Sequence, residues 1–357
     1  MSAPLQKLMV TIEVNIRGAP NVERNIRISS GNLEQRTTCH VKKNFRNTRN
    51  ETDEIMVALV STLKAAPSLY NFTAIAVRKL STNLQLNPKD ESREIVIKYL
   101  DGKDNGIAVL GLNRPESKNA LGKSLVAQFY ESLATIKADN NIRTVIVRSM
   151  VPKVFCAGAD LTERASMDPK EVTEFVTSLR KLMNTVESLP TPVITAIDGV
   201  ALGGGLELAL ASDIRTAASE AKMGLVETKL AIIPGAGGTQ RLPRIVGPAI
   251  AKELIFTGKI LDGEQAGRLG IVNHVLPQNR DGDAAYQAAL SIAREILPNG
   301  PIGVRLAKVA ISQGVEVPLE DGFEIEKKCY TQLLDTEDRI EGLAAFKAKR
   351  VPVYRGI

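Results

Sequence analysis

The sequence has no tryptophan, two histidines and three cysteines, and aromatic residues make up 4% of it. Cys39, Cys156 and Cys329 are odd in number and far apart, which argues against a disulfide framework and for a reducing compartment. There is no Cys-x-x-Cys pair and no His/Cys cluster, so no metal site is expected. No run approaches 18 apolar residues, so no membrane-spanning helix is expected either. Gly-x-Ser-x-Gly is absent, and His274 is the single histidine beyond residue 90, which disfavours a serine hydrolase. No strand leads into Gly-x-Gly-x-x-Gly, which disfavours a nicotinamide dehydrogenase. "PGAGGTQR" (234–241) lacks the Gly-Lys-Ser/Thr of a phosphate loop and reads as a loop shaping a pocket behind Glu227, not a phosphate cradle.

The 357 residues carry a formal charge of +6, and its location limits what it can mean. Residues 1–90 hold 13 of the 46 basic and 7 of the 40 acidic residues, so the excess lies there and residues 91–357 are neutral. A neutral body lacks the charge that accompanies phosphate-backbone binding. From Met56 to Lys89 there is no acidic residue, and Lys64, Arg78 and Lys79 stand among Ser, Thr, Ala and Leu. That is the composition of a mitochondrial transit peptide. Residues 1–55 are richer in acid and fit such a leader poorly; an unstructured tail without an address is the other reading of residues 1–90.

From Glu91 the pattern is globular. "EIVIKYL" and "GIAVLGLNRP" predict a strand pair across a turn-rich link. "LGKSLVAQFYESLATIKADN" places Leu125, Phe129, Leu133 and Ile136 on one helical face. "RTVIVRSM" predicts a buried strand. A helix follows, with Asp168 as N-cap and Pro169 in its first turn, and Pro190 and Pro192 mark its end. "VITAIDG" predicts a strand, "GGLELALAS" a helix, and "DIRTAA" and "AKMGL" two more strands. The chain is mostly helical after "PGAGG". This alternation predicts an α/β fold with a core over 91–290 and a helical C-terminal region over 291–357.

Three motifs carry chemistry. "GVALGGGLELAL" (199–210) runs three glycines into Glu207. A strand-to-helix turn there exposes the N–H of Gly204 to an oxygen that gains negative charge, with Glu207 in the first turn beside it. The alternative is a tightly packed glycine turn with an exposed Glu207. "VFCAGADL" (154–161) offers a second small-residue turn after a strand, and two amides aimed at one oxygen make an oxyanion hole. Its alternative is a turn in which Asp160 merely caps the next helix. The third motif holds Glu227 in the otherwise apolar "MGLVETKLAII". Two glutamates in apolar surroundings supply acid–base chemistry, since burial raises a carboxyl pKa and a shared site splits their protonation. By itself Glu227 reads equally as an ion-paired or exposed residue.

Together, "NRPESKNAL", "FCAGADL", "AIDGVALGGGLELALASDIR", "GLVETKLAIIPGAGGTQRLPR", "GIVNHVLP" and "TEDRIEGLAAFKAKRVP" resemble, in order and spacing, the crotonase (enoyl-CoA hydratase/isomerase) superfamily over residues 95–355. The resemblance implies a crotonase-type spiral of ββα units with a helical C-terminal trimerisation region, and a homotrimer or homohexamer. It implies that the N–H groups of Ala157 and Gly204 hold the thioester oxygen of an acyl-CoA. Glu207 and Glu227 then add water across its C2=C3 bond, in roles that can be shared or reversed. It further implies contacts to the CoA ester from Lys118, Gly158, Ala159 and Asp160. Phe346 and Lys349 reach the CoA of a neighbouring subunit, with a solvated surface charge as the plain alternative for each lysine. No dissociable cofactor is needed, because CoA arrives with the substrate.

The "MGLVETKLAIIPGAGGTQRLPR" segment is most similar to the branch that acts in leucine degradation in the mitochondrial matrix. The expected reaction is therefore 3-methylglutaconyl-CoA to 3-hydroxy-3-methylglutaryl-CoA, with a general short-chain enoyl-CoA as the alternative substrate. Members of that branch are also described as binding AU-rich RNA through a lysine-rich helix. The matching helix here has only Lys123 and Lys137, with Glu131 between them, which argues against RNA as a partner.

Overall fold

The computed structural model describes residues 10–14, 24–30, 37–43 and 93–357. The chain divides into two compact units, Met1–Asp90 and Glu91–Ile357. In the first, strands β1 (Val10–Val14), β2 (Arg24–Ser30) and β3 (Thr37–Lys43) form an antiparallel sheet in that order, with Ile12 opposite Ile28 and Ile28 opposite Cys39. Composition alone predicts no strand there. The transit-peptide-like stretch from Met56 lies outside the described residues.

The second unit carries two sheets. β4 (Ile95–Tyr99) and β5 (Ile107–Leu112) form the expected antiparallel pair, linked through a 3-10 turn at Gly102–Asp104. β5 pairs on both sides, with β4 and in parallel with β6 (Thr144–Ser149), and is buried along its whole length because Ala108, Leu110 and Leu112 pack into one core cluster and Ile107 and Val109 into another. The sheet continues through β8 (Val193–Ile197), β10 (Ile214–Ala218) and β13 (His274–Leu276), all parallel. A smaller sheet runs β12 (Leu261–Asp262), β11 (Lys222–Gly224), β9 (Val200–Leu202), β7 (Val154–Cys156). Successive turns of chain thus give one strand to each sheet, β6 then β7, β8 then β9, β10 then β11, before crossing over. This is the expected spiral of ββα units.

The helices close the core. α1 (Lys123–Ala138) buries Leu125, Phe129, Leu133 and Ile136, the predicted face, each worth about 1.5–3 kcal/mol when fully buried. α2 (Leu161–Ala165) is capped by Asp160. α3 (Pro169–Glu187) starts on a capping box of Asp168 and Glu171 with Pro169 at its first position. α4 (Gly204–Leu210) is buried at all seven positions. α5 (Gly238–Val246), α6 (Pro248–Thr257) and α7 (Gly263–Arg268) follow.

α8 (Ala284–Ile296) packs Ala285, Ala289, Leu290 and Ala293 against Ile107, Ile146 and Ile194 of the large sheet. The boundary expected between residues 290 and 291 therefore falls inside a core helix, and the appendage begins with α9 (Pro301–Gly314). α10 (Leu319–Thr331) and α11 (Glu337–Ala348) complete it. Their outer faces leave Ile311, Val315, Leu319, Phe323, Leu343 and Phe346 exposed. Among the described residues no helix is long and apolar enough to cross a membrane.

Candidate active site

α4 starts where β9 ends, and the turn between them requires glycine. Gly203 has φ 51°, a left-handed value that costs an L side chain energy. Gly205 lies so close to β7 that a Cβ there would overlap the Cys156 carbonyl. Backbone thus packs on backbone between α4 and the Ala157–Asp160 turn. Gly158, at φ 102°, completes the approach: a Cβ on it would stand 2.9 Å from the Leu202 oxygen and 3.5 Å from the Gly204 nitrogen.

The hydrogen bonds of that turn decide which amide is free. The Ala157 N–H donates to the Lys118 carbonyl at 3.1 Å. Leu121 N–H donates to the Gly158 carbonyl at 2.7 Å, and Asp160 N–H to the Leu121 carbonyl at 3.1 Å. These bonds flank a parallel bridge between Leu121 and Ala159. The expectation for Ala157 is therefore corrected, since its donor is spent inside the protein. The Ala159 N–H, expected only among substrate contacts, has no acceptor among the described residues. It lies 3.6 Å from where a Cβ on Gly204 would sit. Gly204 is the first residue of α4, so its own N–H is one of the donors a helix leaves unpaired. Two free amides, Ala159 and Gly204, thus lie side by side.

Both glutamates belong to the same neighbourhood: Glu227 lies against Gly203, next to Gly204, and is close enough to Glu207 to be repelled by it. Glu207, 3% exposed, accepts hydrogen bonds at Oε1 from the N–H groups of Ala236 (2.8 Å) and Gly238 (2.7 Å). The "PGAGG" loop, expected to shape the pocket behind Glu227, spends its amides gripping Glu207. Burial raises the Glu207 pKa despite those two bonds. Glu227 opens a 3-10 turn after β11, Glu227–Leu230, and its Oε1 would be 3.1 Å from a Cβ on Gly203. Its Oε2 is buried with no hydrogen-bond partner. Burial, then repulsion from Glu207, pushes its pKa up to about 7. The exposed or ion-paired alternatives for both residues do not hold.

The remaining expected residues divide. Lys118 is exposed and left-handed at φ 52°, and its carbonyl anchors Ala157. Asp160 is buried, caps α2 through Thr162 and Glu163, and pairs with Arg114 at 2.8 Å, so its carboxylate is committed to the protein. Phe346 is 86% exposed on α11, and Lys349 is the exposed residue that ends it. No hydrogen bond or ion pair joins either to the turn or the glutamates among the described residues.

Three residues escaped the sequence reading. Asn119, fully buried at φ 56°, bonds Ser149, the Phe155 carbonyl and the Arg114 N–H. Asn tolerates that conformation, which was the available signal. Arg114 binds Asp160. Arg164 of α2 lies near enough to Glu227 to oppose its upward shift, and its guanidinium makes no hydrogen bond or ion pair among the described residues. A cavity of about 410 Å³ beside Arg114, Asp160 and Glu163 is lined by neither glutamate, so the chemistry is located by the carboxyls and the amides, not by that space.

The raised Glu227 pKa has a consequence for stability. Between its ordinary value of 4.5 and about 7 the folded state holds a proton that the unfolded chain has lost. Stability then falls as pH rises through that window and levels above it, by at most about 3 kcal/mol. Glu227→Gln removes this slope, so denaturant titrations at pH 5 and pH 8 should show the variant gaining on the parent at pH 8. Equal gaps at both pH values would contradict the shift.

Two unpaired amides near two carboxyls whose pKa values burial raises define an acid–base enzyme acting on a carbonyl compound that becomes enolate-like. The family model described as enoyl-CoA hydratase/isomerase matches residues 102–356, and the chain belongs to that family. It is an enzyme of the enoyl-CoA hydratase type. It is similar to the mitochondrial methylglutaconyl-CoA hydratase of Mus musculus, at 57% identity over 74% of this chain and 84% of that one. It is also similar to the mitochondrial enoyl-CoA hydratase domain-containing protein 2 of Bos taurus, at 54% over 76% and 91%. A solved enoyl-CoA hydratase from Bacillus anthracis superposes with a TM-score of 0.71 at 46% identity, covering 74% of this chain and all of that one. None of these relatives is named for binding RNA.

Proposed function

We propose that the chain hydrates 3-methylglutaconyl-CoA to 3-hydroxy-3-methylglutaryl-CoA, in leucine degradation in the mitochondrial matrix. The observation that carries the chemistry is the pairing of buried Glu207 and half-buried Glu227 at the glycine turn that carries the Gly204 amide, with the Ala159 amide beside it. The thioester oxygen accepts from both amides. Glu207 takes a proton from water as its oxygen bonds to C3. The C2=C3 electrons move toward the thioester, and Glu227 gives its proton to C2. Water and the thioester are the only reactants, so the reading calls for no further cofactor. Lys118 is exposed and adjoins the donor turn through its carbonyl, which supports a contact to the CoA portion.

The choice of acid rests on two supports. Relatives at 57% identity carry that hydratase name. Arg164 is a cation near Glu227 without a partner among the described residues, suited to the distal carboxylate of this substrate. The mitochondrial names of the relatives and the acid-free stretch from Met56 support the compartment. The apolar outer face of α9–α11 supports a trimer or hexamer in which Phe346 and Lys349 serve a neighbour's CoA.

Comparing kcat/KM for 3-methylglutaconyl-CoA and crotonyl-CoA tests the substrate. The carboxylated ester should be preferred, and Arg164→Met should erase roughly ten- to hundredfold of that preference, the worth of a charge-assisted bond. Equal use of both esters, unaffected by Arg164→Met, favours a general short-chain hydratase.

A further inference from the structure

We propose that Arg114 is a positioning residue for the oxyanion hole: it holds the Ala159 amide in place through Asp160 and Glu163 without touching the reacting atoms. The inference rests on Ala159 and Gly204 being the donors.

Arg114 stands just after β5, and its side chain is 15% exposed. Its guanidinium gathers three carboxylates from distant parts of the chain: Nε meets Glu94 at 3.0 Å, Nη1 meets Asp160 at 2.8 Å, and Nη2 meets Glu163 at 3.5 Å. Nη1 also donates to the Ala120 carbonyl at 2.9 Å. Two of the acids have a second task. Asp160 caps α2 and directly follows Ala159. Glu163 accepts the Lys123 N–H at the start of α1 through Oε2 at 2.8 Å. Glu94 precedes β4, and its Oε2 is buried without a partner. The cluster is thus short of donors, with one cation serving three acids.

The consequence is geometric. Residues 118–121 hold the donor turn by the short ladder of Lys118, Leu121 and their partners described above. Arg114 ties both sides of that ladder together, Ala120 on one side and Asp160 on the other. Gly122 fits flat against the cluster: a Cβ there would overlap Glu163 Oε1 and stand 2.8 Å from Arg114 Nη1. The three guanidinium nitrogens serve acceptors on different sides of the fork, a spread that the single ammonium nitrogen of a lysine does not span. Because Asp160 is spoken for by Arg114 and by the α2 amides, the Ala159 N–H between the ladder and the cap has one direction left.

The test uses the full chain and two variants. Arg114→Lys keeps the charge and loses the fork. Gly122→Ala keeps every charge and displaces the cluster; Gly122 has φ −99°, a conformation alanine adopts freely. The probe is butyryl-CoA carrying ¹³C at the thioester carbonyl, which binds and cannot be hydrated. Its isotope-edited carbonyl stretch should shift to lower frequency on the parent protein and lose at least half of that shift on either variant. Turnover of crotonyl-CoA should fall roughly ten- to hundredfold, as a misplacement of about 1 Å does, with KM nearly unchanged. Circular dichroism identifies a variant that fails to fold, and the other then decides. A parent carbonyl shift retained in a folded variant, or a raised KM with parental kcat, overturns the role of Arg114. An absence of shift on the parent itself overturns the donor assignment instead.

Discussion

Glu207→Gln should lower kcat for enoyl-CoA hydration by about a thousandfold, within the range general acid–base groups supply, and Glu227→Gln should do the same. The substitution at 207 is close to a pure removal of charge. A glutamine oxygen still accepts from the Ala236 and Gly238 amides, so the loop stays in place while the base is gone. At 227 the exchange removes a proton that the fold holds to about pH 7. KM should change little in either variant, because the thioester oxygen is held by main-chain donors that neither substitution alters. The double variant should be barely worse than either single one, since both groups act in one step. Steady-state kinetics and a ligand titration with butyryl-CoA separate these effects. Turnover at the parental rate would remove that glutamate from the mechanism.

Local signals carried the fold far. The face of α1 follows from four apolar residues at helical spacing, and the start of α3 from an Asp-Pro pair whose reciprocal capping partner, Glu171, is three residues on. The position of Glu207 just inside a glycine-started helix was legible for the same reason. What stayed hidden depends on distant partners. Whether Ala157 or Ala159 offers its amide is set by pairing with Lys118 and Leu121, some 38 residues upstream. In a regular strand Ala157 and Ala159 would present their N–H groups to the same side; Gly158 between them, at φ 102°, breaks that alternation, so Ala157 meets Lys118 while Ala159 turns away, and no short motif reveals it. Arg114 was equally invisible, because a lone arginine in sequence reads as a solvated charge and two of its partners lie 46 and 49 residues away. α8 joined the core beyond its expected boundary since an alanine-rich face packs closely on a sheet without a strong apolar signature.

Deleting a single donor is the other large effect. Exchanging Gly204 for glycolic acid, or Ala159 for L-lactic acid, replaces one N–H by an ester oxygen and keeps the side chain. Each should cost a hundred- to about a thousandfold in kcat, the loss typical of one oxyanion donor. Ligand binding should weaken far less, because the donors matter most when charge reaches the thioester oxygen. The same exchange at Ala157 removes only the bond to Lys118, worth about 1 kcal/mol of stability.

The most direct measurement is therefore kcat for the ester at 159 beside the ester at 157, in otherwise identical folded protein. A loss of at least about a hundredfold at 159 with near-parental turnover at 157 is the predicted result. Parental turnover at 159, or the large loss falling at 157, would contradict the site built here.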